Sequence, residues 1–585
     1  MKIKLLYPDL QGPDYGASLL KARGIQNIQK FMEPDESCLQ DWHNLDNIMK
    51  GISLIQICKQ DGARVCLVVD CDVDGYTSAA IMYQYLMEFN PSINLSYYLH
   101  DGKAHGLEEH WNEIAMQNYD LLIIPDAGSN DSQYAQEISC PILVLDHHIL
   151  EDDNVAPNMV IINNQTSVNY SNKSLSGAGV VYQFCRGIDE VYGTNYVTKY
   201  IDLAALGICG DMMSGLEIEN QYFWHKGFKN LQNYFIWCIA RKQGYSITGK
   251  LHPTDDDIIE ALNPISVAFY IVPLINAMIR VGTMDEKERM FIAFIDGHRM
   301  IPCNKRGAKG TLEEAAIEST RECINARSHQ NKTKDNAVAQ VEQKIFKHDL
   351  LDNQILFIRL DDSDQYPSEL NGLLANQLAQ KYHHPTIIAR LNDEGYIRGS
   401  ARGLSNTELI SFKDYLNSTG LFEYTAGHDN AFGISIKNAD LDRLHELANH
   451  DLAQYDFGSG YYEVDFSRPA LANDIDKIIE SLDNYKQNWS QNNGEPLIYI
   501  SGIHFSKKDV TLMGKNNSSV KIIKNGIAYV KFNATDMIDE INMSESDNLK
   551  MDVVGRGNLN FWNGSVTPQI MVDHYEIHPD SILDF

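Results

Sequence analysis

The string "VVDCDVDG" (68–75) places Asp70, Asp72 and Asp74 at every second position, after an apolar run and before Gly75. Alternate side chains of an extended backbone share one side, so the three carboxylates are expected to converge where the strand "RVCLVV" (64–69) runs out. Like charges crowded together are costly unless a cation sits among them. Two further apolar runs end the same way: "LLIIP" (121–125) leads into Asp126, and "ILVL" (142–145) into Asp146, His147 and His148. A fourth, "LAALGICGDMMSG", delivers Asp211 through Gly210. One acidic strand end is an ordinary solvated turn. Three successive ones describe a site, because open parallel sheets bind ligands at the carboxyl ends of their strands. Oxygen donors with one or two imidazoles and no thiolate suit Mn2+ or Mg2+ better than Zn2+ or copper, and so many carboxylates have room for two ions. Ions about 3.5–4 Å apart activate a bridging water and clamp the attacking and leaving oxygens of a phosphoryl displacement. Phosphoester hydrolysis is therefore the favoured class, and neither a G-x-S-x-G elbow nor a Walker-A loop competes with it.

The elements that must carry these residues are read from periodicity. From about residue 63, short apolar runs alternate with helical stretches such as "SAAIMYQYLMEF" (78–89), the pattern of a buried parallel sheet. Residues 195–300 are more helical, and 309–348 read as one long polar helix or a broken pair. A second α/β segment runs from "QILFIRL" (354–360) to about 450, and short β-type runs with Gly and Asn turns over 495–580 suggest a small barrel. The domains expected are a helical, solvent-facing extension (1–50), a catalytic α/β domain (51–308), a connecting helix (309–348), a smaller substrate-binding α/β domain (349–455), a linker (456–494) and the barrel (495–585).

Composition narrows the setting. With 585 residues, 44% hydrophobic and 22% charged, the chain has the make-up of a multidomain globular protein. No apolar run long enough to span a bilayer is expected, nor a membrane partner, and the first residues lack the apolar core of a secretory signal. Ten cysteines, all between Cys38 and Cys323 and never as C-x-x-C, fit reduced thiols and a cytoplasmic location. The net charge of -30 opposes any polyanion unless positive charge gathers locally or metal ions intervene.

Candidate anion-binding groups answer that objection. Asn276 and Arg280 are one helical turn apart and can present an amide and a guanidinium to a phosphate. In "GSARG" (399–403), small residues around Ser400 admit a phosphate to the backbone while Arg402 supplies a fork. "AGHDNAFG" (426–433) places His428 in a small-residue loop. Between Phe505 and Asn533, Lys507, Lys508, Lys515, Lys521, Lys524 and Lys531 face a single acid, Asp509, and interleave with Phe505, Tyr529 and Phe532. Lysines tracking a backbone beside aromatics that stack bases are what a single-strand groove requires.

The ordered set "DCDVDG", "PDAG", "LDHH" and "LGICGDM" resembles the motifs of the DHH phosphoesterases. "LLKARGIQNIQKFMEP", "LSGAGVVYQF", "PLINAMIRVG", "GSARG", "AGHDNAFGI" and "VVGRGNLNFWNG" extend the resemblance over nearly the whole chain to the RecJ-type exonucleases. The resemblance implies an α/β fold, in which a parallel-sheet DHH domain is joined by a long helix to a smaller DHHA1 domain and followed by a C-terminal OB-type β-barrel. It implies Asp72, Asp74, Asp126, His147 and Asp211 as metal ligands, with Asp126 bridging. Asp70, where the chain has Val68 in place of a histidine common in relatives, becomes an additional ligand or a support. His148, beside Asp146, is implied to contact the scissile phosphate or polarise the leaving group, and Asn276, Arg280, Ser400, Arg402 and His428 to bind substrate, although Ala426 departs from the family's Gly-Gly-His. The implied activity is processive degradation of single-stranded DNA with two Mn2+ or Mg2+ ions, 5′ to 3′, to nucleoside 5′-monophosphates. A narrow tunnel between the DHH and DHHA1 domains would exclude duplex, and a helicase or single-strand-binding protein would be a partner. The rival readings are a DHH phosphodiesterase acting on short oligonucleotides or cyclic dinucleotides, and a non-catalytic RecJ-like replication scaffold.

Overall fold

A computed structural model of the chain describes residues 1–579 except 9, 11, 103, 152–153, 362–369, 405–406, 458–460, 515 and 563–564. The chain divides into two compact units: Gln11–Arg327 with Ser481–Glu495, and Met1–Leu10 with Ser328–Glu480 and Pro496–Phe585.

The first unit is built on five parallel strands, β1 (Arg64–Val69), β2 (Asn94–Leu99), β3 (Leu121–Pro125), β4 (Ile142–Asp146) and β5 (Met159–Asn163), in the order β2-β1-β3-β4-β5. Alternate residues of one strand enter opposite cores: Val65, Leu67 and Val69 pack on one face, Cys66 and Val68 on the other. Burial on both faces explains why these strands read as unbroken apolar runs. Helices α1 (Val73–Phe89), α2 (Gly177–Tyr192), α3 (Ile201–Gly210) and α4 (Val272–Val281) contribute Ala79, Val180, Leu206 and Ile275 to the first of those cores. The expectation of no span-length apolar stretch is corrected at Pro264–Val281, whose mean hydropathy is 1.6 over 18 residues. It forms two helices, Pro264–Tyr270 and α4, and its Val267, Ile275 and Met278 are core residues, so packing accounts for its apolarity.

The division between units falls within α5 (Ala315–Lys347), a single helix of 33 residues rather than a broken pair. In the second unit, β6 (Leu356–Leu360), β7 (Thr386–Leu391), β8 (Tyr396–Arg402), β9 (Phe422–His428) and β10 (Ala431–Lys437) form a sheet in the order β9-β10-β8-β7-β6. A seven-stranded mixed sheet follows, with β11 (Phe466–Pro469), β12 (Leu497–Ser506), β13 (Val510–Met513), β14 (Ser519–Lys524), β15 (Ile527–Lys531), β16 (Asn548–Trp562) and β17 (Ser565–Pro579) in the order β11-β12-β16-β17-β15-β14-β13.

Three expectations are corrected here. Residues 1–50 are not a solvent-facing helical extension: Lys2–Leu5 is a strand pairing with Tyr461–Val464, and Trp42, Leu45 and Ile48 are buried in the first unit's core. The stretch 456–494 holds strands Tyr461–Val464 and β11 and the helix Ile475–Asp483, so it is structured rather than a linker. Tyr529 cannot stack on a base, because its ring is 2% exposed, and Phe505 is likewise buried. Both point inward from strands whose apolar residues fill the sheet's core. The lysines are partly committed as well. Lys507 donates to the carbonyl of Ser544 just past the helix Thr535–Met543 (2.7 Å), Lys524 pairs with Asp509 (2.6 Å), and Lys531 donates to the carbonyl of Asp573 (2.9 Å). Lys521 is half-buried on β14, and Lys515 lies outside the described residues.

The burial of Tyr529 predicts that Tyr529→Ala costs about 3–5 kcal/mol by opening a cavity, whereas Tyr529→Phe stays close to wild type. Urea unfolding checks this, and an unchanged midpoint for Tyr529→Ala would contradict the inward ring.

Candidate metal centre

From β1 the chain passes to β2 on one side and then to β3, β4 and β5 on the other, so the crevice at the carboxyl ends of β1 and β3 is a topological switch point. Asp70 follows β1, Asp126 follows β3, and Asp146 ends β4.

The three aspartates of the opening motif do not lie along one strand. β1 stops at Val69; Asp72 is the N-cap of α1, accepting a hydrogen bond from Gly75 N (2.9 Å), and Asp74 lies in that helix's first turn. The turn is tight enough to require glycine at 75, where a Cβ would stand 2.7 Å from the Asp70 carbonyl oxygen. Buried Asp74 accepts from Ser176 Oγ (2.8 Å), Gly177 N (2.6 Å) and Ala178 N (3.0 Å), so the positive end of α2 stabilises its charge.

Asp126 has no such support. It is 1% exposed, its backbone is in the left-handed region (φ 72°), and neither carboxylate oxygen has a hydrogen-bond partner among the described residues. A Cβ at Gly177 would fall 2.2 Å from Asp126 Oδ1, so glycine there keeps the space beside the carboxylate open. His147 Nε2 lies 3.3 Å from Asp126 Oδ1, 3.5 Å from Asp211 Oδ2 and 3.9 Å from Asp74 Oδ2. The fold thus brings together Asp74, Asp126, His147 and Asp211 from four separate segments, with Asp72 beside them.

The electrostatics follow from burial and crowding. Burial, then Asp70 and Asp74, pushes the Asp72 carboxyl up to about 6. Burial, then Asp74 and Asp72, pushes Asp211 up to about 8. Asp126 is raised well above the usual carboxylate range, by burial first and then by Asp74 and Asp72. Burial lowers His147 and favours its neutral form, the form that ligates metals. Orphaned buried oxygens, a neutral imidazole and a glycine-cleared space fit a hard divalent cation.

Asp146 and Asp70 act differently. Asp146 accepts from His147 N (2.6 Å), Ser129 N (3.0 Å) and His148 Nδ1 (2.8 Å). Although burial raises its pKa, the bond and charge of His148 hold it below the usual range, and Asp146 in turn lifts His148 to about 9. Asp146 therefore orients His148 rather than offering itself to substrate. Asp70 accepts from Gly106 N (3.1 Å), and its other oxygen lies 2.7 Å from His105 Nδ1. Of the two roles expected for Asp70, an additional ligand or a support, these contacts fit the support. Its hydrogen bond lifts His105 to about 11. Sequence reasoning missed His105; the signal was a further strand end, "SYYLHDG" (96–102), just before it.

Elsewhere in this unit, α4 carries half-buried Asn276 and exposed Arg280 one turn apart. In the second unit, register aligns Arg402, Ala431 and His428 across β8, β10 and β9, and Ser400, Gly433 and Ala426 two residues further along. Ser400, Arg402 and His428 thus share the sheet face opposite the one that buries Ile397 and Ala401. His428 ends a strand rather than sitting in a loop, because the turn is only Asp429–Asn430. Arg402 lies across the helix Asn371–Tyr382, where a Cβ at Gly372 would meet its Nη2 at 2.6 Å.

The DHH family, N-terminal domain, matches residues 64–208, and the RecJ OB domain matches 473–574. The chain is 32% identical, over 96% of both sequences, to the Bacillus subtilis (strain 168) protein named "Putative SPbeta prophage-derived single-strand DNA-specific exonuclease YorK". It is 22% identical to the single-stranded-DNA-specific exonuclease RecJ of Escherichia coli K12, over 72% of this chain and 71% of that one. The crystal structure of Thermus thermophilus RecJ with Mn2+ superposes with a TM-score of 0.70 at 16% identity, covering 98% of this chain and 79% of that one. The carboxylate cluster at the switch point, the order of the domains and this similarity along the full length lead to one assignment: the chain belongs to the RecJ-type exonucleases of the DHH phosphoesterase family.

Proposed function

We propose that this protein is a metal-dependent exonuclease specific for single-stranded DNA, acting with two Mn2+ or Mg2+ ions. The observation that carries the reading is the Asp126 carboxylate, buried, without a hydrogen-bond donor among the described residues, and facing His147, Asp74 and Asp211. Solved RecJ structures in complex with Mn2+ or with Mg2+ support the choice of ion. Asp72, Asp74, Asp126, His147 and Asp211 would hold the ions. When bound, such ions lower the pKa of water and neutralise charge on the phosphoryl oxygens. His148, held by Asp146, donates a proton toward the departing sugar oxygen. Asn276 and Arg280 in one unit, and Ser400, Arg402 and His428 in the other, are two sets of donors for backbone phosphates. Processive 5′-to-3′ release of nucleoside 5′-monophosphates belongs to the same proposal. So does a reducing cytoplasmic setting, supported by ten free cysteines of which eight are buried.

Three measurements test the reading. End-labelled single strands incubated with protein and Mn2+ should shorten from one end, 5′ by this reading, while closed single-stranded circles persist; rapid cutting of circles would contradict an exonuclease. Asp72→Asn and Asp126→Asn should each lose at least about 100-fold in turnover with strand binding retained, since each removes a charged ligand. Near-wild-type rates for both would refute the assignment.

The third measurement uses pH. In the metal-free protein, folded Asp72 and Asp211 hold protons up to about 6 and about 8, well above an unfolded carboxyl near 3.8. Ligation must displace those protons, so Mn2+ affinity should climb from pH 6 to pH 8 with proton release visible by calorimetry in buffers of different ionisation enthalpy. By the same linkage, metal-free stability falls as pH rises through this window, because the folded state binds more protons than the unfolded one. Asp126→Asn should therefore raise the metal-free Tm at pH 8. An Mn2+ affinity independent of pH would argue against these carboxylates as ligands.

A further inference from the structure

Two histidines at the carboxyl ends of the parallel strands rest on buried aspartates. His148 on Asp146 is one; the other is His105 on Asp70, with Nδ1 2.7 Å from the carboxylate, the aspartate side chain 1% exposed and the imidazole 61% exposed. They come from different strands. In sheet order, β2 leads into the loop bearing His105, β1 supplies Asp70, Asp72 and Asp74, β3 supplies Asp126, and β4 supplies Asp146, His147 and His148. Both pairs therefore stand at the carboxyl ends that carry the carboxylate cluster, and the loop bearing His105 reaches the segment after β3, where a Cβ at Gly106 would stand 3.3 Å from Gly128 N.

The loop that delivers His105 is fixed along its length. Gly106 N donates to Asp70 (3.1 Å) and Leu107 N to Asp131 (2.7 Å). Glu109 accepts from Asp101 N (3.3 Å) and lies 3.0 Å from His100 Nδ1. Lys287, 2% exposed on the helix Met284–Ile295, donates to the carbonyls of His100 (3.3 Å) and Asp101. Burying a lysine and an aspartate to organise one surface loop is costly unless the placement of what the loop carries matters. What it carries is an imidazole whose inner nitrogen is held by a carboxylate and whose remaining edge faces solvent. A buried carboxylate on one nitrogen favours the doubly protonated ring, which then donates from the other nitrogen.

We propose that His105 is a substrate-binding residue for the reaction, its imidazole holding a non-bridging phosphate oxygen of the DNA strand beside the carboxylate cluster, with Asp70 as its positioning residue. The inference rests on the single-strand exonuclease reading and names a phosphate contact within that same site. Cys71 Sγ, 3.8 Å from His105 Nδ1, packs against the ring and restricts its rotation.

The test compares wild type, His105→Ala, His105→Arg and Asp70→Asn on 5′-phosphorylated oligothymidylates in which one linkage at a time is a neutral methylphosphonate. Strand binding is followed by fluorescence anisotropy in chelator, hydrolysis in Mn2+, and Mn2+ affinity by calorimetry. On the unmodified strand, His105→Ala should weaken binding and lower kcat/KM by about 10- to 100-fold, the worth of one charge-assisted hydrogen bond, and His105→Arg should recover most of it. Asp70→Asn should fall in between, and Mn2+ affinity should not change in the His105 variants. The His105→Ala loss should vanish on the strand whose neutral linkage has removed the partner oxygen, the non-additivity expected of a direct contact. An equal loss on every strand, unchanged binding, or a parallel fall in Mn2+ affinity would each overturn the proposal. A wild type that binds the strands but never cuts them would defeat the exonuclease reading, while the anisotropy series would still decide for or against His105.

Discussion

Repulsion among buried carboxylates is the constraint around which the first unit is built. Asp74 and Asp126 are each 1% exposed, and both lie within 4 Å of His147 Nε2 together with Asp211. Their surroundings divide the burden unequally. The amides at the start of α2 satisfy Asp74, whereas nothing among the described residues donates to Asp126, so the cost of ionisation is concentrated at one carboxylate. Glycine then appears where the crowding is greatest: a Cβ at Gly207 would stand 2.3 Å from Asp74 Oδ1, and one at Gly177 would enter the space beside Asp126. The left-handed backbone at Asp126 belongs to the same compromise, since such a conformation persists only when its surroundings over-determine it.

The parallel sheet makes that concentration possible. Its strands are buried on both faces, so their register is strongly fixed, and the loops at their carboxyl ends inherit that rigidity. Helices α1 and α2 begin at this same end, and their free amides are what the Asp72 and Asp74 carboxylates use. The positive end of a helix stabilises a carboxylate without neutralising it, leaving its charge available to a cation. Asp146 and Asp70 commit their lone pairs otherwise, to amides and one imidazole each, and so become orienting groups although they occupy equivalent strand ends.

What the sequence revealed follows from this division. Asp126, His147 and Asp211 could be read because each ends an apolar run, a pattern local in the chain. The role of Asp70 could not, because its partner His105 is 35 residues away, on a loop whose preceding strand, Asn94–Leu99, is too polar to stand out. The alternation argument that grouped Asp70 with Asp72 and Asp74 assumed an extended backbone past Val69, where the chain instead turns into a helix. Tyr529 fell to a different error: interleaving along the chain does not make a ring accessible, and Tyr529 and Lys531, two residues apart and so on one face of β15, differ because the ring is buried while the longer lysine reaches the carbonyl of Asp573. The face shared by Ser400, Arg402 and His428 lay beyond sequence reasoning as well, since it arises from the pairing of three strands.

The distribution of charge also bears on how a chain of net charge -30 can handle a polyanion. Lys507, Lys524 and Lys531 have carbonyl or carboxylate acceptors within their own domain, so their charge is partly used in holding it together. A positive track along that sheet is therefore weaker than its composition suggests. Under the proposed reading, the centre at the switch point would work in the opposite direction, because each divalent cation would add two positive charges where the carboxylates are densest, and low local dielectric magnifies such a change. Under the proposed reading, bound cations would offset the crevice's own repulsion of phosphate. Attraction for the strand would then be strongest at the proposed place of cleavage, with the donors on α4 and on the face shared by Ser400, Arg402 and His428 as separate local exceptions to the acidity of the chain.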